Sequence, residues 1–279
     1  MSNTALTTET QYVNIGNKKI AYRKFGNGTP LILANRFRGT IDTWDPLFLD
    51  LLAETNTVIT FDYSGIGYSE GALPLDLHEV AAEVVKVADH LNIDKFIVGG
   101  WSYGGLIVQY TTFLFPARVL STIVIGSNPM GKNEIPLSPL FLEKALKPDY
   151  DFEDIVVLFF EPKSEKSRIA AQASAERIAQ RLDQSKVPST PDKFQRYFAA
   201  TNQLAEDKDN FREGYKTLQT PVLVISGDHD ISFAVENWFP LLQNAPTVQH
   251  IIFPNTGHAP HFQYPQVTTD YIKSFLKTN

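Results

Sequence analysis

The sequence predicts an α/β protein: a doubly wound, mostly parallel sheet of about eight strands, with helices on both faces and a helical insertion between two strands. Three observations lead there. Short, uninterrupted apolar runs such as Leu31–Ala34, Val58–Phe61, Val119–Ile125 and Val222–Ser226 alternate with segments of helical period. Runs of that kind need cover on both faces, which parallel sheets receive from their crossover helices. The alternation stops near Asn128 and resumes at Pro221, with no convincing strand between. Finally, Phe96–Gly105 reads F-I-V-G-G-W-S-Y-G-G, a strand that ends in glycines and passes at once into a helical pattern.

Residues 1–10 are polar and Thr-rich and read as a flexible tail. Tyr12–Ile15 and Ile20–Lys24 alternate around Gly16-Asn17, an opening hairpin. Gly26–Pro30 is a turn before the strand Leu31–Ala34. Asp42–Glu54 places Trp44, Leu47, Phe48, Leu51 and Leu52 on one side of a helix, and the strand Val58–Phe61 follows. Asp62–Gly71, with three glycines, is a loop, and Asp76–Leu91 is a helix with apolar residues at i, i+3 and i+4. Phe96–Val98 leads into the glycine turn. The helix after it carries Leu106, Ile107, Tyr110, Phe113 and Leu114 and stops at Pro116.

Val119–Ile125 is the next strand. Prolines 129, 136, 139 and 148 then punctuate an irregular stretch. Asp151–Phe160 and Lys163–Gln184 read as helices, and Thr190-Pro191 opens a third that runs to Leu204. The strands Val222–Ser226 and Val248–Phe253 and the helices Val235–Gln243 and Pro265–Leu276 close the chain. The expected domains are a core of 11–127 and 215–279 with the insertion 128–214.

The chain has 279 residues, 43% hydrophobic and 20% charged, an ordinary globular composition long enough for one large core. A net charge of −6 leaves no electrostatic footprint for nucleic acid or anionic membrane. There are no cysteines, which excludes disulfides, thiolate catalysis and Cys-ligated zinc. The N-terminus lacks the basic start and apolar stretch of a signal peptide, and no apolar run approaches the roughly 20 residues that span a bilayer. The expectation is a cytoplasmic monomer or homodimer without cofactor or metal.

Gly100-Trp101-Ser102-Tyr103-Gly104 is G-x-S-x-G in a strand–turn–helix context, the nucleophile elbow. A serine hydroxyl is a weak nucleophile until a base accepts its proton and a third group orients the base. In a doubly wound sheet the partners should lie just past strand ends, where the loops meet on one edge. Val222–Ser226 runs into Gly227-Asp228-His229-Asp230, and Val248–Phe253 runs into Pro254–His258. The candidates are therefore Ser102, then Asp228 or Asp230, then His258. Among the other histidines, His78, His90 and His250 fall in helices or a strand, His229 on a loop surface, and His261 can face the pocket.

With G-W-S-Y-G at 100–104, G-D-H-D at 227–230, G-H at 257–258 and D-x-x-G-x-G-x-S at 62–69, the chain resembles the α/β-hydrolase superfamily from about Tyr12 onward. The resemblance implies Ser102 as nucleophile and His258 as base, and its usual G-x-x-D spacing selects Asp230 as the acid. It implies an oxyanion hole from the backbone N–H of Tyr103 and one from the loop after Leu31–Ala34. There the family's H-G-x-x-G is replaced by Asn35-Arg36-Phe37-Arg38-Gly39. Aligned on Gly39, Asn35 takes the histidine position, Arg36 a glycine position, and Phe37 supplies the N–H. Ser64 stands where the family often has an arginine. The segment 128–214 corresponds to the family's cap.

Arg36 and Arg38, beside that loop, are candidates to clamp a substrate carboxylate; the alternative is that Arg36 reaches solvent or pairs with Asp42 or Asp45. Trp101, Phe159 and Tyr197 are the further candidates for contact with substrate. The expected activity is a cofactor-free serine hydrolase acting on a small carboxylic ester or lactone. Enol-lactonases, N-acyl homoserine lactonases, C–C bond hydrolases and cofactor-free haloperoxidases (perhydrolases) use the same residues, and a ligand-binding protein on this fold is the reading of a different class.

Overall fold

The computed structural model describes residues 4–202 and 204–279. Its eight strands are β1 (Gln11–Ile15), β2 (Lys18–Gly26), β3 (Thr29–Ala34), β4 (Asn56–Phe61), β5 (Phe96–Trp101), β6 (Val119–Ile125), β7 (Val222–Gly227) and β8 (Val248–Phe253). They form one sheet in the order β1-β2-β4-β3-β5-β6-β7-β8. The pairs β1/β2 and β2/β4 are antiparallel and all others parallel.

The helices are α1 (Pro46–Ala53), α2 (Leu77–His90), α3 (Tyr103–Leu114), α4 (Pro139–Ala145), α5 (Phe152–Phe159), α6 (Glu165–Ala179), α7 (Pro191–Thr201), α8 (Phe211–Gly214), α9 (Pro260–Gln263) and α10 (Pro265–Thr278). Helices α4 to α8 lie between β6 and β7 in the chain, so the chain leaves the sheet where the strand signal lapses and returns to pair β7 directly with β6. None of the described helices is long and apolar enough to cross a membrane.

Alternation along each strand divides the core in two. Ile32, Val98, Val222 and Val224 enter one apolar cluster with α2 and α3; Leu31, Leu33, Ile97, Leu223 and Ile225 enter the other with α1 and α10. A period of two with both faces apolar is what a sheet covered on both sides requires. The parallel strands point the same way, so Asn35, Ser102, Asp230 and His258 all follow strand C-termini along one edge.

Three expectations need correction. The helix placed at Asp42–Glu54 starts only at Pro46, because Asp45 caps it by accepting from Leu47 N–H at 3.0 Å while Thr40–Thr43 forms a separate turn. Val235–Leu241 is a 3₁₀ helix with Pro240 inside it, a residue that lacks the N–H an α-helix would use there. The segment read as a tail is bound from Thr4 on, and residues 1–3 lie outside the described residues. Ala5 N–H donates to Asp50 Oδ1 (2.7 Å), and Arg181 donates to the carbonyls of Ala5 (2.6 Å) and Thr8. Those partners come from 45 and 176 positions away, beyond what a polar composition reveals.

Candidate active site

At the end of β5 the chain turns through Ser102, whose φ of 62° and ψ of −119° lie outside the usual range of an L-residue. Such a conformation costs on the order of 1–3 kcal/mol and persists only where the surroundings enforce it. The enforcement is close packing. A Cβ at Gly100 would lie 2.1 Å from the Gly104 carbonyl oxygen, and one at Gly104 would lie 2.0 Å from that of Ala34. The two glycines let the turn press against β3, and Ser102 N–H is held by the Ile125 carbonyl at 2.9 Å. The serine therefore sits at the N-terminus of α3, where the helix dipole favours developing negative charge.

His258, after β8, meets Asp230, after β7: Nδ1 to Oδ2 is 2.7 Å, and both side chains are buried. Oδ1 of Asp230 accepts from the N–H groups of Ser232 (2.7 Å) and Phe233 (3.0 Å). An ionised carboxylate only accepts, so Nδ1 carries the proton and Nε2 keeps a lone pair. Asp228 does other work. It accepts from Thr256 N–H at 3.2 Å and faces His229 at 2.6 Å on the surface, the role of a turn aspartate.

Ser102 and His258 line one small cavity with Arg36, Phe37, Phe141, Tyr150 and Phe159. The Ser102 hydroxyl makes no hydrogen bond to a described residue and opens on this space. A second cavity of about 130 Å³ adjoins it and shares Arg36, Tyr150 and Phe159. Its far wall is the face of α6 at Ala171, Ser174, Ala175 and Ile178.

The loop Asn35–Gly39 keeps its shape without the histidine its position would suggest. Asn35 Oδ1 accepts from Arg36 N–H (2.8 Å), and Nδ2 donates to the Thr40 carbonyl (2.6 Å) and Thr43 Oγ1 (3.1 Å). Tyr63 donates its hydroxyl proton to the Asn35 carbonyl at 2.8 Å. Among the described residues, neither Phe37 N–H nor Tyr103 N–H donates a hydrogen bond, so both are available to a ligand beside Ser102.

The arginines part company. Arg38 also lines the second cavity, but its N–H groups are taken up by the insertion: Nε donates to Pro188 O (2.6 Å), Nη1 to Ala145 O (3.1 Å) and Lys147 O (2.6 Å), and Nη2 to Pro148 O (2.6 Å). Its guanidinium carbon lies over Tyr150 at 4.2 Å and Phe194 at 4.8 Å. It fastens the loop to the helical insertion. Arg38→Ala strands four carbonyls in the interior and is expected to cost about 3 kcal/mol of stability, read as a lower urea midpoint. An unchanged midpoint would contradict this role.

Arg36 neither reaches bulk solvent nor pairs with Asp42 or Asp45, which are engaged by Arg23 and Arg177 at 2.6 Å each. Its Nη1 donates to the Phe37 carbonyl at 2.7 Å, its Nε is buried without a partner, and its carbon lies over Phe159 (4.6 Å) and Trp101 (5.2 Å). Burial pushes its pKa down to about 10, so it stays charged at neutral pH.

Of the three aromatic candidates, Phe159 lines both cavities. Trp101 does not: it is fully buried behind the histidine, where its Nε1–H donates to the His258 carbonyl at 2.9 Å. Tyr197 is buried too, edge-on to Phe37 and Tyr103 with centroids at 5.0 and 4.9 Å, and backs the loop rather than the cavity. His261, which was allowed to face the pocket, is enclosed by Trp44, Phe48, Trp101 and Phe262, and burial holds its pKa well below the usual histidine range. Tyr150 lines both cavities and was not among the candidates; an aromatic between Pro148 and the helix-capping Asp151 was its one signal.

A family model described as the alpha/beta hydrolase fold matches residues 29–265. The chain belongs to that family. This alpha/beta hydrolase is 26% identical over 284 residues to the dihydrolipoyllysine-residue acetyltransferase component of the acetoin cleaving system of Pseudomonas putida, covering 96% of this chain and 69% of that protein. It is 25% identical to the pimeloyl-[acyl-carrier protein] methyl ester esterase of Vibrio parahaemolyticus, covering 86% of this chain and 91% of the esterase. Among solved structures, an alpha/beta hydrolase fold protein from Chitinophaga pinensis superposes with a TM-score of 0.85 at 27% identity, covering 99% of this chain and all of that one.

Proposed function

We propose that the protein is a serine hydrolase that cleaves a small carboxylic ester or lactone through an acyl-enzyme. The observation that carries this reading is the buried His258–Asp230 pair at 2.7 Å, opening on the same cavity as the strained Ser102. In this mechanism His258 Nε2 takes the hydroxyl proton as Ser102 Oγ bonds to the substrate carbonyl carbon. The electron pair moves to the carbonyl oxygen, and the N–H groups of Phe37 and Tyr103 stabilise it, each donor being worth about 3–4 kcal/mol. Collapse expels the alkoxide, which takes the proton from His258. Water, deprotonated by His258, then attacks the ester carbonyl; as this second intermediate collapses, Ser102 Oγ leaves and takes that proton back from His258. The insertion 128–214 serves as the cap that keeps bulk water from the intermediate.

The methyl ester esterase name of a relative with 91% of its length matched supports ester hydrolysis as the reaction class, as does the apolar second cavity adjoining the Ser102 cavity. The direct test is a fluorophosphonate probe. The wild-type protein is expected to be labelled on one serine, and Ser102→Ala to stay unlabelled. Folded wild-type protein that takes up no label would instead favour a binding protein on the same fold.

A further inference from the structure

We propose that Arg36 makes this hydrolase selective for esters or lactones that carry a second, anionic group, a carboxylate, which the guanidinium holds in the wall between the two cavities. The inference rests on the serine hydrolase reading and names its substrate class.

Arg36 is a buried cation with no anion. The other buried arginines around the site are satisfied: Arg23 by Asp42, Arg38 by four carbonyls. Of the five N–H donors of Arg36, one is used, on the Phe37 carbonyl, and Nε is buried with no partner. An uncompensated buried charge is costly, and an apolar residue at this position would be cheaper for the fold. The surroundings make the charge usable. The rings of Phe159 and Trp101 lie 4.6 and 5.2 Å from the guanidinium carbon, contacts that use up none of its N–H donors. The described linings of both cavities contain no aspartate or glutamate, so nothing there repels or replaces an incoming carboxylate. Position completes the case: Arg36 precedes Phe37, whose N–H faces the reacting carbonyl in the proposed mechanism, and it lines the Ser102 cavity and the larger apolar one alike. A substrate with an ester carbonyl at Ser102, a carboxylate at Arg36 and an aliphatic or aromatic remainder along Ile178 and Phe159 fits this arrangement.

The test compares ω-carboxy esters of short diacids with the isosteric ω-amides, for wild type, Arg36→Gln and Arg36→Lys. Wild type is expected to prefer the acid. In Arg36→Gln the ratio of kcat/KM for acid over amide is expected to fall about 100-fold, mainly through KM, whatever loss the two esters share. Arg36→Lys should recover part of the ratio. A ratio that does not move in Arg36→Gln, with labelling by the fluorophosphonate intact, overturns the assignment. Calorimetric binding of short α,ω-dicarboxylates to Ser102→Ala protein gives a readout without turnover: binding is expected there and its loss in the Ser102→Ala/Arg36→Gln protein. Equal binding by both proteins overturns the carboxylate site, whereas dicarboxylate binding by wild-type protein that takes no label overturns only the hydrolase reading.

Discussion

Ser102→Ala is expected to lower kcat by on the order of 10⁶-fold while leaving the fold intact. The expectation follows from what the substitution removes and what it keeps. It deletes the one oxygen that can bond covalently to the acyl group. It leaves Gly100 and Gly104 to enforce the turn, the free N–H groups of Phe37 and Tyr103, and the His258–Asp230 pair. Alanine at a φ of 62° is strained about as serine is, so the unfolding midpoint should move little. Activity would fall to what the oxyanion donors and substrate binding provide on their own, about 10³–10⁴ over the reaction in water. Burst titration of active sites, together with steady-state rates on a chromogenic ester, distinguishes that residue from contamination. A loss below tenfold would place the nucleophile elsewhere.

The second large effect separates two aspartates two positions apart. Asp230→Asn is expected to reduce kcat by about 10⁴-fold, and Asp228→Asn to leave it within about threefold. Asparagine at 230 can still accept from Ser232 and Phe233 through its carbonyl oxygen, which places an NH₂ toward His258 Nδ1. The imidazole must then present Nδ1 as the acceptor and carry its proton on Nε2, where the base is needed. Asp228 holds a turn through Thr256 N–H and a surface histidine, and none of that reaches Ser102. Comparable losses in both variants would falsify the distinction.

Much of this was legible in the residues, for physical reasons that differ by element. The parallel strands were readable because burial on both faces leaves no room for polar alternation, and α3 because a strand ending in glycines ran straight into a 3.6 period. Ser102, Asp230 and His258 were readable because the topology delivers every strand end to one edge. Trp101 was misplaced although the signal was there. Alternation sets it on the same face as Ile97, beneath His258, and adjacency to Ser102 says nothing about direction. Arg38 was beyond reach. Its partners are main-chain carbonyls 107 to 150 residues away, at the end of α4 and in the segments beyond it, and a carbonyl carries no residue-specific mark. Arg36 was readable as chemistry but not as position: only the fold shows that Asp42 and Asp45 are already taken.

The fastening by Arg38 bears on how such a chain can diverge. Insertions between two strands look like exchangeable cassettes, to be traded among relatives so that one core acquires new substrates. Here the core loop that carries Phe37 ends in a guanidinium whose four acceptors all belong to the insertion, at residues 145, 147, 148 and 188. A foreign insertion that failed to offer those carbonyls would leave a cation buried and unsatisfied one residue from Phe37. Core and insertion are thus bound to change together at this seam.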